Sequence, residues 1–295
     1  MADKPNYFDP LTLSKLSTLL LRARYVVEGL ISGLHTSPYK GFSVEFSEHR
    51  QYTPGDEIRH IDWKAYGKFD RYYIKEYEEE TNLRCYLLVD ASASMDYRSN
   101  GVSKFDYACY LAAALAYVML NQQDLVGLVT FADGIRQQLP PRSSSGHLRA
   151  VIESLEQTVP TGETNLGRML HQIASQLKRR GLVIVLSDLL DEPAEVMQGL
   201  RHLRYQKHEV LVFHVLDGDE IAFPFTQLTQ FEDLEADVRV VTDPRAIMVD
   251  YQEQIQQFIK DYERQCRRQA IDYMLFDTRT PLDKGLLKYL AWRGA

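Results

Sequence analysis

Cysteine is scarce: Cys85, Cys109 and Cys266 are the only three in a chain of 295 residues. An odd count spread that widely gives neither a disulfide framework nor metal-ligand spacing. It predicts three reduced, mostly buried thiols in a reducing compartment. Long apolar runs are also missing. The longest, around Tyr110–Leu120, falls well short of the roughly 20 residues that cross a bilayer. The opening segment MADKPNYFDP is polar and unlike a secretory signal. There is no excess of positive charge, since 34 Lys and Arg face 41 Asp and Glu for a net charge of -7. Phosphate binding needs clustered cations, so a general nucleic-acid binder is disfavoured. The expectation is a cytoplasmic protein with no membrane insertion.

What is present is ordinary globular composition, 45% hydrophobic and 25% charged, with length enough for a full core. Asp9 and Pro10 signal a helix start. Leu16, Leu19, Leu20, Ala23, Val27 and Leu30 recur at spacings of three and four, with Gly33 as the stop. Residues 34–83 differ. Phe42, Val44 and Phe46 alternate with Ser43 and Glu45, Tyr73, Lys75 and Tyr77 alternate with Ile74 and Glu76, and both segments read as strands. From Arg84 onward short apolar strands alternate with helices. The strands are Cys85–Val89, Leu125–Phe131, Leu182–Leu186, Val210–Leu216 and Ile271–Phe276, and Arg136–Leu139 pairs back after the Asp133-Gly134 turn. The helices are Lys104–Asn121, His147–Thr158, Leu166–Arg180, Pro193–Gln206, Arg245–Gln269 and Leu282–Trp292, with a hairpin inserted over 218–243. Continuous apolar strands alternating with helices mean a mostly parallel sheet covered on both faces. The fold expected is α/β and doubly wound, over 84–295, preceded by a helix and a small strand-rich segment over 1–83.

In such sheets ligands bind at the carboxyl ends of the strands. Cys85–Val89 runs straight into Asp90, Ser92 and Ser94, three oxygen ligands at a spacing of two. Thr164 precedes a helix in Gly162-Glu163-Thr164-Asn165, and Leu182–Leu186 ends in Ser187-Asp188. All of these are hard ligands, with no His or Cys among them. That selects Mg²⁺, or Mn²⁺ or Ca²⁺, over zinc. Hydroxyls cannot neutralise a dication, so Asp90 and Asp188 must supply the charge. Asp191 is the expected cap of the following helix, which leaves Asp188 for the metal.

This D-x-S-x-S, Thr, Asp pattern resembles the metal-ion-dependent adhesion site of von Willebrand factor A-type domains. Upstream, Gly41-Phe42, Glu45-Phe46, Arg50, Tyr52, Pro54-Gly55-Asp56, Arg59, Ile61-Asp62-Trp63 and Glu78-Glu79 resemble the signature of the domain-of-unknown-function 58 family. The resemblance spans about Asp9 to Trp292, with Glu57 where members often carry Asp. It implies a von Willebrand factor A-like fold and a non-catalytic partner of MoxR-type AAA+ ATPases in a chaperone-like or complex-activating system. Ser92, Ser94 and Thr164 would then be direct metal ligands, and Asp90 and Asp188 would act mainly through water. One position would stay open to a carboxylate of the ATPase or a client protein.

Asp56, Arg59, Asp62 and Trp63 form a second candidate surface for partner binding, against the plainer reading of a structural clasp. The enzymatic alternative is a metal-dependent hydrolase using Asp90 and Asp188. A phosphatase of that type needs a second carboxylate two residues after its nucleophile, and that position here is Ser92. There is no nucleophile elbow and no phosphate-binding loop lysine.

Overall fold

The structure, a computed structural model, describes residues 18–34, 49–51, 73–75, 83–144, 146–163, 165–235, 238–283 and 287. It divides into two compact units, Leu34–Asn82 and Met1–Gly33 together with Leu83–Ala295. In the smaller unit β1 (His49–Gln51) pairs antiparallel with β2 (Tyr73–Lys75), His49 facing Lys75. The expected strand at Phe42–Phe46, the candidate surface of Asp56, Arg59, Asp62 and Trp63, and most of the closing helix lie outside the described residues.

The larger unit is built on a six-stranded sheet. β3 (Arg84–Asp90) lies inside it, flanked by β4 (Leu125–Phe131) and β6 (Leu182–Ser187). β7 (Glu209–Leu216) and β10 (Asp272–Asp277) extend one side, and β5 (Ile135–Arg142) closes the other. All pairings are parallel except β4 with β5. That exception follows from the Ala132–Gly134 turn, where the Ala132 amide donates to the Gly134 carbonyl. A tight turn of this kind can join only antiparallel strands.

The helices explain why the strands read as unbroken apolar runs. One face of the sheet packs under α4 (Leu166–Gln176), α5 (Pro193–Tyr205) and α7 (Pro244–Arg268), with Tyr86, Leu88, Val183 and Val185 meeting Leu170, Leu200 and Tyr262. The other face carries α2 (Lys104–Asn121), which contacts β3, β4, β6 and β7. Ser103 and Asp106 cap α2 reciprocally, satisfying two amides that the first turn leaves without partners. Its residues are buried nearly all round, because α1 (Leu19–Leu34) and α3 (His147–Gln157) close over its outer side. Arg22 of α1 donates to the Tyr110 hydroxyl of α2, and the Leu19 amide donates to Glu156 of α3. All three cysteines are buried, as expected, and burial raises each thiol above its ordinary range.

Between β7 and α7 the chain inserts α6 (Gly218–Ala222) and the hairpin of β8 (Thr229–Glu232) and β9 (Arg239–Thr242). Hairpin and position match the sequence expectation. The chain runs from β3 outward to β4, then returns past β3 to β6. The connections after β3 and β6 therefore diverge and open a crevice at their carboxyl ends.

Two measurements test this packing. α4 and α5 approach through Gly167 and Gly199, and a Cβ at Gly199 would stand 2.6 Å from the Leu170 Cβ and 2.9 Å from the Gly167 carbonyl. Gly199→Ala is expected to lower unfolding stability by about 1–3 kcal/mol in urea; an unchanged midpoint would mean the helices separate freely. His208 is buried edge-on against Tyr86, and neither ring nitrogen closes a hydrogen bond of normal geometry. Burial holds its pKa below the ordinary histidine value. The unfolded chain therefore takes up a proton near pH 6.5 that the folded chain refuses, so stability is full above that pH and falls below it. Thermal melts at pH 7.5 and 5.5 should show a smaller acid loss for His208→Phe than for the parent chain.

Candidate metal centre at the strand ends

β3 and β6 are adjacent and parallel, with Val89 opposite Leu186. The register sets Asp90 beside Ser187, and the Ser187 hydroxyl donates to Asp90 Oδ2 at 2.6 Å. After Asp90 the chain turns sharply, and the Ser92 amide donates back to Asp90 Oδ1 at 3.0 Å. A short 3₁₀ turn, Ala93–Asp96, then carries Ser94 round so that its hydroxyl lies 3.1 Å from that of Ser92. The turn is tied to the loop before α4: Thr161 donates its amide to the Ala91 carbonyl, and Ala93 donates to the Gly162 carbonyl. Thr164 lies outside the described residues, and this loop carries its neighbours to the serine turn.

Asp188 follows β6 directly. Its Oδ1 accepts the Leu190 amide at 3.2 Å. Its Oδ2 lies 2.7 Å from the Lys104 ammonium, which lies 2.7 Å from Glu220 Oε1 as well. Asp90, Ser92, Asp188 and Lys104 are all fully enclosed. Ser94 reaches the surface, and the Glu235 carboxylate from beyond β8 accepts its amide at 3.4 Å. The site is thus roofed by the inserted hairpin and more enclosed than a plain strand-end position implies.

The charges are unevenly matched. Burial works against ionised Asp188, but the Lys104 ammonium outweighs it and holds the carboxyl below its usual range. Burial, followed by the Asp188 charge, pushes Asp90 up to about 7, against the hydrogen bonds from Ser187 and Ser92. Burial likewise raises Glu220, opposed by Lys104. Lys104 itself is held above the ordinary lysine value, because Asp188 and Glu220 overcome the effect of burial. Behind Asp188, His214 of β7 meets its backbone carbonyl through Nε2 at 2.8 Å and the Tyr273 hydroxyl through Nδ1 at 2.6 Å. A carbonyl only accepts, so Nε2 carries the proton. Burial lowers this imidazole to about 4, which keeps it neutral.

The donor set fits a hard divalent cation. Neighbouring ligands of an octahedral Mg²⁺ at 2.0–2.1 Å stand about 3 Å apart, close to the separation of the two serine hydroxyls. Two enclosed carboxylates flank that pair, and no group of three or more His, Cys, Asp or Glu that could hold a metal ion occurs among the described residues, so an ion here would lean on the hydroxyls. Thus Asp90, Ser92, Ser94 and Asp188 are brought together, as their spacing led us to expect. Asp191 departs from expectation. It accepts the Gly167 amide at the start of α4, and the cap position of α5 falls to Glu192. The close approach of α4 to α5 puts that orphan amide within its reach. Lys104, Glu220 and Glu235 escaped the sequence reading altogether. Lys104 left one signal: a lysine in the first turn of a helix opposes the helix dipole.

Beside Ser94 lies a groove of about 330 Å³ whose apolar lining comes from Tyr97, Leu190, Phe223, Phe225, Phe231, Leu234 and Tyr251, with Asp219, Glu220, Glu232 and Asp233 also on its walls. Phe223 stacks on Tyr251 at 4.3 Å and on Phe231 at 5.6 Å. Leu228, Leu234, Val238, Val240, Val241 and Val249 are exposed around the same hairpin. A concentration of exposed large apolar side chains marks an interaction surface. No helix among the described residues is long and apolar enough to cross a membrane.

Uncharacterized proteins of Mycobacterium tuberculosis and Mycobacterium bovis are 26% identical over 234 residues, covering 78% of this chain and 73% of theirs. Among solved structures, an aerotolerance-related membrane protein from Bacteroides fragilis is 17% identical with a TM-score of 0.50, covering 72% of this chain and 100% of that one. The SpRpn10 VWA domain is 11% identical with a TM-score of 0.41, over 70% of this chain and 95% of that one. The fold is α/β with a mostly parallel sheet, and the Bacteroides fragilis protein shares it. A family model described as protein of unknown function DUF58 matches residues 48–266, and the chain belongs to that family.

Proposed function

We propose that this protein is a non-catalytic protein-binding module whose binding depends on a divalent metal, Mg²⁺ foremost, at the ends of β3 and β6. The observation that carries this reading is the Ser92–Ser94 hydroxyl pair, 3.1 Å apart, set against the enclosed carboxylates of Asp90 and Asp188, the second of them paired with the Lys104 ammonium. Ser92 and Ser94 would hold the ion directly, with Thr164 from the adjoining loop. Asp90 and Asp188 are already engaged by Ser187, Ser92, Lys104 and Leu190, which suits a role through water. A bound dication supplies a Lewis-acidic position for a partner's carboxylate, the hard ligand such an ion prefers. The aromatic groove and exposed valines beside Ser94 offer the apolar contact that a single coordinate bond lacks. By family resemblance the partner is a MoxR-type AAA+ ATPase or its client, in a chaperone-like or complex-activating system of the cytoplasm.

Calorimetric titration of the full chain with Mg²⁺ and Mn²⁺ tests the site. Ser92→Ala and Ser94→Ala should each weaken binding at least tenfold, and Thr164→Val should do so while preserving volume. EDTA should abolish binding to the ATPase, as should changing one acidic residue of the ATPase to its amide. Affinities equal in parent and variants would refute the assignment. Metal-dependent turnover of a generic phosphoester, lost on Ser92→Ala, would point to a hydrolase instead.

A further inference from the structure

We propose that Lys104 is a built-in cation of this centre, which fixes Asp188 and holds the affinity for a divalent ion down, so that the ion binds reversibly. The inference rests on the metal reading above.

Lys104 is badly placed for a lysine. It is the first residue of α2, where the helix dipole disfavours a cation, and its long side chain has no exposed surface. Burying an ammonium is unfavourable unless charge partners and hydrogen bonds compensate it. Here the partners are Asp188 and Glu220, each at 2.7 Å, brought from 84 and 116 residues away. Neither carboxylate is free to turn. Asp188 Oδ1 accepts the Leu190 amide, and Glu220 Oε2 accepts the Asp217 amide at 2.7 Å within the cap of α6. Lys104 thus locks the oxygen of Asp188 that would otherwise be available to the ion.

The same ammonium sets the charge of the cluster. With a dication beside Asp90 to favour its carboxylate, Asp90, Asp188 and Glu220 contribute three negative charges, and Lys104 returns one, leaving two for the single dication to balance. Without Lys104 three would remain, with the enclosed Asp188 and the half-buried Glu220 left without their cation. Such a cluster attracts a dication more strongly, since charge interactions are weakly screened away from water. Both consequences of removing Lys104 favour the ion. A merely structural lysine, tying the β6 loop to α6, makes the opposite forecast, because its loss would disorder Asp188 and loosen the site.

Mn²⁺ titration followed by the paramagnetic resonance of the free ion, on the folded full chain, separates these. Lys104→Met should bind Mn²⁺ at least tenfold more tightly than the parent, and Ser92→Ala in that background should erase the gain. Glu220→Gln, which removes a negative charge and leaves Lys104 to Asp188 alone, should bind several-fold more weakly. A folded Lys104→Met with equal or weaker affinity overturns the proposal. If Lys104→Met does not fold, Glu220→Gln decides, and affinity equal to or tighter than the parent overturns it. Parent affinity untouched by Ser92→Ala, or no binding in parent and Lys104→Met alike, refutes the metal site itself and the proposal with it. Parent binding that needs Ser92 but does not tighten without Lys104 refutes the proposal alone.

Discussion

The parallel pairing of β3 with β6 is the constraint on which the centre depends. With Val89 opposite Leu186, the last residues of the two strands, Asp90 and Ser187, arrive at the same level of the sheet, with Asp188 directly after. A shift of one residue would turn every side chain to the opposite face, carrying Asp90 away from Ser187 and the core-facing residues of both strands away from their helices. The site is therefore held in place by the whole apolar core. The same core explains its rigidity: the strands beneath it are buried on both faces, and the turn above it is tied to a neighbouring loop at Ala91 and Ala93.

Electrostatics set on that frame give the centre its character. Enclosed carboxylates are tolerable only with compensation, and each one here has found a different kind. Asp90 leans on hydroxyl and amide hydrogen bonds, Asp188 on an ammonium and an amide, and the half-buried Glu220 on the ammonium and an amide. The compensation is incomplete for Asp90, whose carboxyl is pushed up to about 7 by burial and by the Asp188 charge. A site short of positive charge and edged with hydroxyls is chemically suited to a hard cation.

The insertion after β7 gives this sheet its particular surface. α6 supplies Glu220 to the centre, Phe223 begins the aromatic groove, and the loop beyond β8 lays Glu235 over Ser94. Phe223 takes a left-handed backbone, φ 49°, uncommon for a residue with a side chain, and it is stacked between Tyr251 and Phe231. One insertion thus contributes a charge to the centre, a cover over it and the apolar rim beside it.

The sequence by itself determined the elements of the sheet domain and the short-range half of the centre. Apolar runs bounded by turn residues are a local property, so Leu125–Phe131 and Lys104–Asn121 were legible to the residue, and the other elements that the structure describes there to within a few. Asp90, Ser92 and Ser94 were legible because two-residue spacing after a strand depends only on the turn that follows it. Asp188 was legible because parallel strands align their ends. The tertiary structure alone decided that Lys104 reaches Asp188 and Glu220, that Glu235 covers Ser94, and that Asp191 serves α4 and not its own helix. These contacts join residues 24 to 141 positions apart. Their energies depend on enclosure and relative placement, which no local pattern of residue types encodes, because a charged side chain in sequence looks the same whether water or a buried partner surrounds it.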